Sequence, residues 1–201
     1  MRTKLAALIV AIILIIPLTS LAYPPAVGIL GNNRNCLKCH ANNGPWTDEA
    51  RTILDIIDAT SGKSLRMPEG EFLIEVERGG TRTVITQIGR KAGDPVPPPI
   101  RNAWLYVDPE QIETGSLSKF APGWTVNLPM AWRIVGDEVD QYPGAAITAL
   151  PMTIRPGDAA RDAELELQVM LTAGDSAKGK PNDWLKANYL FRKVRLRVID
   201  P

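Results

Sequence analysis

The sequence predicts a mainly β protein: an immunoglobulin-like antiparallel β-sandwich preceded by a short irregular segment. Three observations carry this. From Thr52 onward apolar residues recur at every second position, the period of a strand buried on one face. Clusters of Gly, Pro, Asn and Asp punctuate these runs, giving about eight short strands, for which a sandwich is the first choice and a barrel the second. Composition agrees, with 45% hydrophobic and 22% charged residues in 201, as in a chain with one globular core.

Taken in order, Ile53-Leu54-Asp55-Ile56-Ile57-Asp58 is rich in β-branched residues and runs into the turn cluster Ala59-Thr60-Ser61-Gly62-Lys63. Phe72, Ile74 and Val76 alternate with Leu73, Glu75 and Glu77. Gly79-Gly80 follows as a turn signal and Arg82 to Ile88 alternates again, which predicts a hairpin. The stretch from Ala92 to Pro99 is a proline-rich loop, and Trp104-Leu105-Tyr106-Val107 is a short strand stopped by Asp108-Pro109. Val126, Leu128, Met130, Trp132 and Ile134 share one face of a long extended stretch with an irregularity at Pro129. Ile147 to Ile154 is another, interrupted by Pro151. Leu165, Leu167, Val169 and Leu171 alternate with Glu164, Glu166, Gln168 and Met170, a clear half-buried pattern. Leu190, Val194, Leu196 and Val198 close the chain on one face, with Lys193, Arg195 and Arg197 as a basic stripe on the other.

The N-terminus has a different character. Arg2 and Lys4 precede an apolar run from Leu5 to Pro17, and the small residues Ser20 and Ala22 stand before Tyr23. Charged start, short apolar centre and small residues before a cut make residues 1–22 a signal peptide, with an uncleaved membrane anchor as the alternative. The protein is thus expected to be periplasmic or otherwise extracytoplasmic, and membrane-associated if the segment is retained. Residues 23–50 form the irregular segment and residues 51–201 the sandwich domain. The net charge of +1 argues against nucleic acid as a partner, since phosphate recognition needs a strongly basic surface.

The chain has two cysteines and one histidine, and all three fall in Cys36-Leu37-Lys38-Cys39-His40. C-x-x-C-H is the signature of covalent c-type haem attachment. Two other uses of C-x-x-C fit less well. A thioredoxin-like dithiol needs a strand ahead of the motif, and none is predicted before Cys36. A zinc site needs four ligands, and only three of the usual soft or nitrogen type exist here. Gly28, Gly31, Asn32, Asn33 and Asn35 before the motif, and Asn42-Asn43-Gly44-Pro45 after it, mean turns rather than regular structure. Trp46 either packs against the haem or anchors the segment on the sandwich.

Cys36 to His40 resembles the c-type cytochromes. The resemblance implies one covalent haem c held by Cys36 and Cys39, with His40 as the proximal iron ligand. It also implies electron transfer rather than catalysis, and redox proteins as partners, a membrane-associated respiratory complex among them. With no second histidine, the sixth ligand must be another group. Met130 ranks first, because Pro129 disrupts the ladder beside it and Trp124 and Trp132 offer aromatic lining. Met67, in a turn and followed by proline, is similar to the ligand loop of many small cytochromes c. Met152, Met170, a lysine, water, a group from a partner, and the amine of a mature Tyr23 complete the set. The order Tyr23-Pro24, then the motif, then a β-rich domain is similar to cytochrome f, although the interval from Tyr23 to Cys36 is shorter than in that family. Two other functions stay open: a haem-based gas or peroxide sensor with an open distal site, and a haem-carrying interaction subunit of a larger redox complex.

Overall fold

The computed structural model describes residues 41–110, 120–173 and 186–200. Among them are ten strands: β1 (Ala41–Asn42), β2 (Thr52–Asp58), β3 (Phe72–Glu77), β4 (Arg82–Arg90), β5 (Arg101–Val107), β6 (Trp124–Val126), β7 (Met130–Ile134), β8 (Ala146–Pro156), β9 (Ala163–Thr172) and β10 (Lys186–Ile199). One sheet has the order β1-β10-β9-β5-β7, with β3 also on β10; the other is β2-β4-β8-β6. The two sheets pack as a sandwich. Phe72, Ile74, Leu165, Leu167, Val169, Val194 and Leu196 fill the core from the first sheet. Leu54, Ile56, Val84, Ile88, Met152 and Ile154 fill it from the second.

Two buried polar bridges cross between the sheets. The hydroxyls of Tyr106 on β5 and Thr86 on β4 share a 2.6 Å hydrogen bond. The Asn102 amide on β5 donates to the Ile88 carbonyl at 2.9 Å and to the Thr148 hydroxyl at 3.1 Å. A buried hydroxyl without a partner is costly, so each bridge helps to set the alignment of the sheets. Burial pushes the Tyr106 phenol far above its ordinary pKa, so it stays protonated. Gly89 is fixed by close approach: a Cβ there would lie 2.1 Å from the Ala146 carbonyl oxygen on the paired strand β8.

Four sequence expectations need correction. The hairpin around Gly79-Gly80 does not form, because β3 pairs with β10 in one sheet and β4 with β2 and β8 in the other. Both strands have an apolar face, and the turn carries the chain across the core instead of back along one sheet. The stretch from Val126 to Ile134 is two strands, one per sheet: β6 pairs with β8 and β7 with β5, so Met130, Trp132 and Ile134 do not continue the face of Val126. Pairing is not wholly antiparallel, since β1 and β3 both run parallel to β10.

Pro151, finally, does not interrupt β8. The amides of Ala149 and Thr153 point away from β4, to the Asp137 carboxylate at 2.7 Å and the Asn127 side chain at 2.8 Å. With a strand period of two, position 151 faces the same outer edge, where a missing N–H breaks no ladder bond. Together these side chains and the proline blunt an edge that could otherwise pair with another chain.

The turn after β2 is tied by Asp58. Its carboxylate accepts from the Ser61 amide at 2.7 Å and the Ser61 hydroxyl at 2.9 Å, and pairs with Arg82 Nε at 2.9 Å. The Ser61 amide above all, then Arg82 and the Ser61 hydroxyl, lower its pKa from 3.8 to about 2 against the opposing effect of burial. A carboxyl with a depressed folded-state pKa contributes stability above its unfolded value and loses it as pH falls toward the folded one. Asp58→Asn should therefore cost about 2 kcal/mol at neutral pH and flatten the loss of stability between about pH 4 and pH 2, measured by urea unfolding across that range.

Candidate functional site

Cys36, Cys39, His40 and Tyr23 lie outside the described residues, as do residues 1–22. The residue after His40 opens β1. Ala41 and Asn42 pair in parallel with Lys186 and Ala187 at the start of β10. Asn42 Oδ1 accepts from the Tyr189 amide at 3.0 Å, and the Gly44 amide donates to the Ala187 carbonyl at 2.8 Å. Gly44 must lack a side chain, because a Cβ would come within 2.5 Å of Asn188 Oδ1.

Trp46 completes the attachment. Its amide donates to Asn188 Oδ1 at 2.7 Å, its indole N–H donates to the Pro97 carbonyl at 2.8 Å, and its ring lies in the core. Of the two roles the sequence allowed, the structure shows the anchor. Residues 41–50, which the sequence grouped with the motif, thus pack on the sandwich.

The same sheet has a second, outer face whose composition changes along the strands. Strand register fixes its members. Where β10 ends, Lys193, Arg195 and Arg197 meet carboxylates: Lys193 with Glu164 at 2.9 Å, Arg195 with Glu71 at 2.5 Å and Arg197 with Glu75 at 2.9 Å. The Glu164 contact raises the Lys193 pKa. The basic stripe is therefore matched in charge by its neighbours, and such exposed pairs add little stability. Toward the β1 end the face becomes apolar and aromatic. Tyr189 and Phe191 stack with centroids 6.3 Å apart, and Arg101 lies over the Trp132 ring at 4.5 Å. Phe191 and Ile134 are among its most exposed members.

The four methionines downstream of the motif fall in distinct settings. Met67 is half-buried in the turn before β3, and Met152 is buried in the inter-sheet core. Met130, the first choice from sequence, is half-buried on β7 opposite Leu105, on the outer face and on the strand farthest from β1. Met170 shares that face but sits on β9, between Ala103 and Tyr189, and is fully buried, outside the cluster that fills the space between the sheets. Its position was legible as an apolar residue in the series Glu164, Glu166, Gln168, Met170. Its neighbours were not, since they come from other strands.

Among the described residues no group of three or more His, Cys, Asp or Glu side chains could hold a metal ion, and no helix is long and apolar enough to cross a membrane. No family model matches the chain, and no curated protein matches it. Solved structures with a similar strand arrangement include PapD-like domain 7 of human CEP192, at 13% identity and TM-score 0.34, covering 78% of this chain and 92% of that one. A Caenorhabditis elegans MSP family member, WR4, has 11% identity and TM-score 0.33, covering 63% and 92%. A cohesin module from a Clostridium perfringens family 33 glycoside hydrolase also has 11% identity and TM-score 0.33, covering 74% and 97%.

The anchoring role of Trp46 has a direct test. Trp46→Phe keeps a ring in the core but removes the donor to Pro97, and should cost about 1 kcal/mol in urea unfolding. Trp46→Ala should cost about 3–5 kcal/mol.

Proposed function

We propose that the protein is an exported monohaem c-type cytochrome that passes single electrons between redox proteins outside the cytoplasm. The observation that carries this is the sequence itself: both cysteines and the sole histidine fall within Cys36-x-x-Cys39-His40, behind a signal-like N-terminus. Cys36 and Cys39 would hold one haem c through thioether bonds, and His40 would supply the proximal imidazole. When bound, the haem supplies a one-electron ferric/ferrous couple whose potential depends on axial ligation and burial.

The chain's own task is to hold that group in a fixed relation to the sandwich. The clamp that begins at Ala41 supports this, since the residue after His40 is tied to β10 by ladder pairing and the segment is pinned five residues later by Trp46. No protein acid or base is required for electron transfer. Because the stripe on β10 is matched in charge, attraction of an acidic partner by Lys193, Arg195 and Arg197 is not part of the proposal.

Changing Cys36 and Cys39 together to alanine, in cells that carry out haem c maturation, tests the assignment. Covalent haem staining of the denatured protein should disappear, while the parent chain should carry one haem by pyridine haemochrome. Staining that survives the double change would sink the proposal.

A further inference from the structure

We draw no further inference here: the strongest candidate, the apolar and aromatic outer face of the first sheet on which Phe191 and Ile134 are exposed, carries nothing because no contact among the described residues shows what covers it.

Discussion

Strand β10 is paired with β9 along one edge and with two parallel strands on the other, β1 at its start and β3 at its end. Much of the molecule follows from that arrangement. Pairing with β3 draws the chain across the core after Gly79-Gly80, so that β4 joins β2 in the opposite sheet. Pairing with β1 fixes the residue that follows His40. Since β10 is fourteen residues long, its two ends serve different purposes on one continuous backbone. The start holds the motif-bearing segment, and the end closes the sandwich.

The outer face of that sheet divides in the same way. At the β3 end, carboxylates from β9 and the β3 region meet Lys193, Arg195 and Arg197 across neighbouring strands, where opposite charges stabilise the pairing modestly. At the β1 end, Tyr189, Phe191 and Trp132 make the face aromatic around the buried Met170. Charged residues keep a solvated face soluble, whereas a contiguous apolar patch marks a place where something binds. The patch lies at the start of β10, beside β1.

The proposed function would place opposite demands on the chain near residue 40. Haem attachment would need Cys36, Cys39 and His40 accessible to the maturation machinery, while a defined potential would need the axial ligands held still. The contacts from Ala41 to Trp46 address the second demand without regular secondary structure beyond β1. They use a ladder pair, a glycine in close contact with Asn188, and one buried tryptophan.

The sequence by itself determined the sandwich class, because period-two burial and turn residues are local properties that each strand displays alone. It also determined the motif, because C-x-x-C-H places three reactive side chains within five consecutive residues. Alternation fixes which face a side chain occupies but not which strand lies beside it, and for that reason the hairpin after β3, the split at Pro129 and the parallel partners of β10 were not legible. The same limit hid the settings of the methionines: locally Met130 stands beside a proline and tryptophans, whereas register puts it on the strand farthest from β1 and Met170 two strands from β1. Trp46 had two open roles until Asn188 and Pro97, remote in sequence, appeared beside it. Only tertiary structure could decide these points, since each depends on which distant segments share a sheet and how far apart the ladder holds them.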